Sequence, residues 1–228
     1  MGDGGDFTPY REKARNLVCS GLSGPADAAT VVGMVSALTD RAEVDLAEGL
    51  DSSEGRRIAC RAGCGSCCVV NVAILFPEAL AIVFHLQRHL PQPERERIRA
   101  RLDDLHGAIR WLDDEERIAL RRSCAFLDYR GNCGIYPVRP LLCRSVTSTD
   151  PEACRDAVAL MALGETHPVL MNLFQQELMN AYFLGAAQAL EELGLDARGL
   201  NLTGAVKHLL DRPRLAEEFL SGERLVVA

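Results

Sequence analysis

Four cysteines fall within nine residues of this chain, at Cys60, Cys64, Cys67 and Cys68, in a CxxxCxxCC pattern. Packing accounts for a single buried cysteine far better than for four close neighbours, whereas thiolates at this density are natural ligands for zinc or for iron and sulfur. Gly63 and Gly65 allow tight turns that point backbone N–H groups at sulfur. A second group follows at Cys124, Cys133 and Cys143, with Cys154 in the first turn of an expected helix, where the macrodipole favours a thiolate. The metal-ligand candidates are therefore Cys60, Cys64, Cys67, Cys68, Cys124, Cys133, Cys143 and Cys154. Cys19 stands apart and reads as structural or incidental. Arg61, Arg139 and Arg144 are the candidate cofactor-binding cations, offsetting the charge of a thiolate-rich centre; the alternative for each is a solvated surface arginine.

Eight thiols could complete two four-cysteine sites, or one site with thiols to spare. Cys67 and Cys68 are adjacent, and consecutive residues rarely direct both side chains at one ion, so they point to different metals or to different atoms of a cluster. A structural zinc site usually presents two CxxC knuckles, and the nearest approach to one here is Cys64 to Cys67. An iron–sulfur cluster of the 4Fe–4S type is thus the leading cofactor and zinc the alternative. The first three cysteines also match the CxxxCxxC spacing of radical S-adenosylmethionine enzymes, but the sequence that follows lacks the strand–helix alternation their barrel needs. His85 and His89, one helical turn apart, could chelate a metal, although histidines at a helix end also complement its dipole. Glu78 reads as a helix-start charge that could reach the metal shell, and the acidic run from Asp113 to Glu116 as the wet face of a long helix.

The elements that must position these residues are mostly helical, six or seven in number. Apolar spacing and start-and-stop residues place helices at about 25–50, 77–90, 93–121, 151–164 (with Asp150 as N-cap), 168–194, and two short ones within 203–220 broken at Pro213. Only 69–75, β-branched and short, looks like a strand. The fold class expected is mainly α, an irregular helical domain with cysteine-rich loops and at most one short strand or hairpin. Prolines 137 and 140 put Cys133 and Cys143 on an irregular loop, and a helical hairpin from 77 to 121 could bring the two cysteine segments together. The domain reading is an N-terminal segment 1–24 and a single metal-binding domain 25–228 with its cysteine core at about 60–154.

With 228 residues, 48% of them hydrophobic, the chain can bury an ordinary core. Its 25 basic against 32 acidic residues, net −7, argue against nucleic acid as a partner. No apolar stretch approaches membrane-spanning length, no secretory signal or myristoylation motif is visible, and a soluble, cytoplasmic, thiol-reducing setting follows as the expectation. In that setting clustered cysteines hold metal or do redox chemistry rather than pair.

Cys60, Cys64, Cys67 and Cys68, then Cys124, then Cys133, Ile135, Tyr136, Arg139, Pro140, Cys143 and Arg144 in a CxIYxxRPxxCR stretch, resemble the YkgJ-like family of zinc- or iron-chelating cysteine-cluster domains. The resemblance covers roughly 60–143 and implies a bound metal or iron–sulfur cluster, some members being labelled Fe–S oxidoreductases. A similar cluster in flagellin lysine N-methylases implies that group transfer to a protein side chain falls within the group. Three functions stand open: a redox or protein- or peptide-modifying iron–sulfur protein with a redox partner or peptide substrate, a non-enzymatic zinc-stabilised interaction module, and a methyltransferase.

Overall fold

The computed structural model describes residues 5–50, 58–61 and 63–227, so the first four residues of the glycine-rich start lie outside it. Among the described residues ten α-helices follow in order: α1 (Thr8–Gly21), α2 (Ala28–Gly49), α3 (Phe76–His89), α4 (Gln92–Ile109), α5 (Asp114–Ala119), α6 (Leu141–Ser145), α7 (Pro151–Met161), α8 (Leu173–Glu192), α9 (Leu202–Asp211) and α10 (Leu215–Leu220). The only sheet among the described residues pairs β1 (Ala73–Ile74) antiparallel with β2 (Leu200–Asn201). The mainly α expectation is borne out. No helix among the described residues is long and apolar enough to cross a membrane.

Several starts and stops act as the sequence implies. Asp150 accepts from the Glu152 N–H at 2.7 Å and opens α7, and Gly194, at φ +72°, ends α8. The long helix expected over 93–121 is two helices. Ile98, Leu102, Leu105 and Ile109 do bury one face of α4, but Asp113 then accepts from the Glu116 N–H while Glu116 accepts from the Asp113 N–H. This capping box starts α5 afresh, so the acidic run is a helix start rather than a wet helix face. The strand expected over 69–75 shrinks to two residues, because Ser66–Val69 winds into a 3₁₀ turn. The helix expected from Pro168 begins only at Leu173, where Asn172 accepts from the Gln175 N–H.

Residues 8–21, assigned no element from sequence, form α1, which packs on α8 and α2. A Cβ at Gly185 of α8 would fall 2.1 Å from the Arg11 carbonyl oxygen, so glycine is what lets the two backbones lie so close. Asp45, 2% exposed, ties the same helices together: it accepts from Lys13 and from the Tyr182 hydroxyl and pairs with Arg41. Burial alone would raise its pKa, and these three partners together hold it below the ordinary value. Asp45→Ala is expected to cost about 2 kcal/mol in urea unfolding, under the roughly 3–5 kcal/mol of a fully enclosed pair, since Lys13 and Arg41 keep 40% and 37% of their side-chain exposure. Metal content should not change.

Around this body α3 packs on α2 and α9, α4 packs on α9, and α6 packs on α8. The smaller α5 packs on α7, and α7 in turn on the 3₁₀ turn Ser66–Val69. These last contacts bound the cysteine-bearing segments.

Candidate metal centre

The first cysteine segment turns back on itself at Gly63, whose φ of +84° suits glycine, and the Cys64 N–H donates to the Arg61 carbonyl at 3.0 Å. The 3₁₀ turn then presents Cys67 and Cys68. Upstream, the Ala59 N–H donates to the Ser148 carbonyl at 2.8 Å and the Ser148 N–H donates to Cys60 Sγ at 3.3 Å. Such N–H···S contacts support sulfur as a ligand.

The second segment is held just as locally. Leu127 and Cys133 form an isolated antiparallel bridge, and Asp128 accepts from the Arg130 and Asn132 N–H groups, both at 2.8 Å, to close the loop between them. Cys133 lies on a loop as expected, but Cys143 does not: Pro140 serves as N-cap for α6, and Cys143 sits on that short helix. Its prolines interrupt regular structure only as far as the 3₁₀ turn Tyr136–Val138.

What joins the segments is backbone rather than the expected helical hairpin. The Cys124 N–H donates to the Cys68 carbonyl at 2.7 Å. Gly131, at φ +80°, lies so near Gly63 that a Cβ there would stand 2.6 Å from the Gly63 carbonyl oxygen.

Cys60, Cys64, Cys67, Cys68, Cys124, Cys133 and Cys143 all line one cavity of about 330 Å³, together with Arg61, Arg117 and Arg139. Cys154, in the first turn of α7, is near enough to Cys60 to raise its thiol but is not among the lining residues. Cys19 stands in α1, beside Glu192. His85 and His89 stack at 4.9 Å between ring centroids and border a different cavity.

The arginines divide into two roles. Arg144 is taken up by the scaffold: its Nε donates to the Arg139 carbonyl at 2.7 Å, its Nη2 to the Pro137 carbonyl at 3.4 Å, and its Nη1 to Glu43. Arg139 lines the cavity over the Tyr136 ring, with its Nε buried and unpartnered. Arg117, which no sequence signal marked, is 1% exposed, lines the same cavity, and has both Nε and Nη1 without partners.

Burial and mutual contact set the thiols apart. The neighbouring Cys68 thiol and the nearby Arg139 charge lower the Cys67 thiol in spite of burial. Cys68, the other member of the pair and itself largely buried, is pushed well above its ordinary value. Burial pushes Cys124 up to about 11 and raises Cys143, Cys133 and Cys60 as well. Buried thiols that keep their protons must release them to a metal, so affinity should climb with pH.

Among the described residues no three His, Cys, Asp or Glu side chains converge on a single ion, although seven cysteines line the one cavity. The donor set still fits a metal group. Seven soft ligands line one space, and the buried Arg117 guanidinium together with the buried Nε of half-buried Arg139, unpartnered among the described residues, call for an anion within it, as a metal–thiolate centre is.

Glu78, fully buried in α3, links the scaffold to this site: it accepts from the Leu75 N–H and from the Leu141 N–H two residues before Cys143, both at 2.8 Å. Burial raises its pKa from 4.5 to about 7 although both bonds and Arg144 oppose the shift. The folded state therefore keeps a proton that the unfolded state loses above about 4.5, and stability falls as pH rises from there through about 7. Glu78→Gln should remove a pH-dependent difference of about 3 kcal/mol, read by urea unfolding at pH 4.5 and 7.5.

Residues 59–161 match a family model described as "CxxCxxCC: Putative zinc- or iron-chelating domain", a stretch under half of the chain that contains all eight candidate cysteines. No curated protein and no solved structure gives a match. That likeness supports metal binding by the segment and leaves the choice of metal open.

Proposed function

We propose that the chain is an iron–sulfur protein whose cluster takes thiolates from among Cys60, Cys64, Cys67, Cys68, Cys124, Cys133 and Cys143, and that it serves electron transfer or the modification of a protein or peptide in the cytoplasm. The observation that carries this reading is that seven cysteines line one cavity of about 330 Å³ while, among the described residues, no three of them converge on a single ion. A lone zinc ion, with bonds of about 2.3 Å, needs four sulfurs drawn tightly together. A four-iron cluster binds each of its thiolates at a different iron and so does not need its ligands drawn onto one ion, which suits the neighbours Cys67 and Cys68.

When bound, such a cluster supplies one-electron chemistry. The chain's own residues do the rest. Val70, Val72, Ile109, Ile135, Val146 and Leu202 give the cavity an apolar wall that limits water, and Arg139 brings positive charge toward Cys67 and Cys133. Arg61 and Tyr136, both exposed, mark the side from which a redox partner or peptide reaches the site.

The test is anaerobic purification followed by metal and acid-labile sulfide analysis and a visible spectrum. A brown protein containing iron and sulfide is expected, and Cys64→Ser or Cys133→Ser should lower its metal content. A colourless protein with stoichiometric zinc would overturn the reading in favour of a zinc-stabilised module.

A further inference from the structure

Arg117 combines three features that rarely occur together: it is buried, it lines a cavity, and two of its donor atoms have no partner. Unpartnered buried guanidinium groups are costly, so one persists where an anion compensates it. Among the described residues no carboxylate fills that role: the acidic side chains of its own short helix are exposed, Asp113 and Glu116 are engaged in the capping box, Asp114 accepts from Asn71, and Glu43, which lines the cavity, pairs with Arg144. The capping box fixes the start of α5 and so places position 117 one turn on, on the buried side facing Cys124.

We propose that Arg117 is the buried counter-cation of the metal–thiolate centre, donating from Nε and Nη1 to its sulfur atoms on the Cys124 side while Arg139 does so on the Cys67 and Cys133 side. Two fixed cations match the charge near −2 of a four-thiolate zinc ion or a four-iron cluster. Arg144, expected in this role from its place in the motif, is engaged by Glu43 and two carbonyls instead. The assignment deepens the reading of the cysteines as metal ligands, yet it holds for either metal.

It makes a sign prediction that ordinary packing does not. Replacing a buried, unpaired charge by an apolar side chain of similar length is commonly neutral or stabilising, so Arg117→Met should melt at the same temperature as the wild type or higher when both are metal-free. Loaded with Zn²⁺, or separately with iron and sulfide, the order should reverse. The variant's affinity for Zn²⁺, measured by competition with a chromophoric chelator, should drop about tenfold or more, and Arg117→Lys should recover part of the loss. If Arg117→Met lowers the metal-free and metal-loaded melting temperatures alike, or leaves the affinity unaltered, Arg117 is structural and the assignment is wrong. A wild type that takes up neither metal overturns it too, whereas one that takes up zinc alone overturns only the iron–sulfur reading.

Discussion

Stripping the metal with a chelator is expected to release residues 58–72 and 121–138 while α1, α2, α8 and the α6 helix packed on it stay folded. The helical body has its own core: Val18, Val35, Leu38, Leu178, Met179, Tyr182 and Ala189 are all buried among α1, α2 and α8. The cysteine segments bury far less, chiefly Val69, Ala125, Phe126 and Ile135, and without a metal their buried thiols stay protonated and add no ligand bonds to hold the loops together. Cysteine-rich metal sites contribute on the order of 10 kcal/mol to folding at neutral pH, more than this small apolar set supplies. Amide hydrogen exchange before and after chelation reads the effect directly. Protection should collapse in the two segments and persist in the body; equal protection throughout would mean that the loops stand without metal.

Gly131→Ala should cost both stability and metal through a single added carbon. Its φ of +80° penalises any side chain by roughly 1–3 kcal/mol, and the new Cβ would also stand 2.6 Å from the Gly63 carbonyl oxygen, an unyielding backbone atom. Relief requires the two cysteine loops to part, which moves Cys133 away from Cys64. Gly164→Ala is the matched control: φ is +76° there, but a Cβ meets nothing within 4 Å. The control should lose about 1 kcal/mol of stability and keep its metal. Gly131→Ala should lose most of its metal as well, measured as metal per chain after dialysis. Similar metal content in the two variants would show that the close approach of the loops does not matter to the site.

The helical character of the chain was legible because its signals are local. Asp150, Gly194 and the break near Pro213 act through their nearest neighbours, and the apolar spacing of Ile98 to Ile109 is simple periodicity. The thiols were legible for a different reason: their density is hard to explain by packing. What sequence did not disclose depends on distant partners. Glu78 looks like any helix-start acid until the Leu141 N–H, 63 residues on, is placed against it. Arg117 is one arginine in an arginine-rich stretch, and its burial depends on α5 starting anew at Asp113, which the uninterrupted-helix reading concealed. α1 offers little more than Ala14 and Val18 as a buried stripe, and its place depends on Gly185 in a helix far along the chain. Arg144 sits beside Cys143 in sequence, yet Glu43, 101 residues away, claims it.

If sulfurs from both cysteine segments bind one metal centre, anomalous diffraction at the metal absorption edge, from crystals of anaerobically loaded protein, will show it. A single peak or one tight group of peaks should lie inside the cavity, within bonding reach of sulfurs from both the Cys60–Cys68 and the Cys124–Cys143 segments. Peaks confined to one segment, or seated at His85 and His89 instead, would mean that the two segments share no metal.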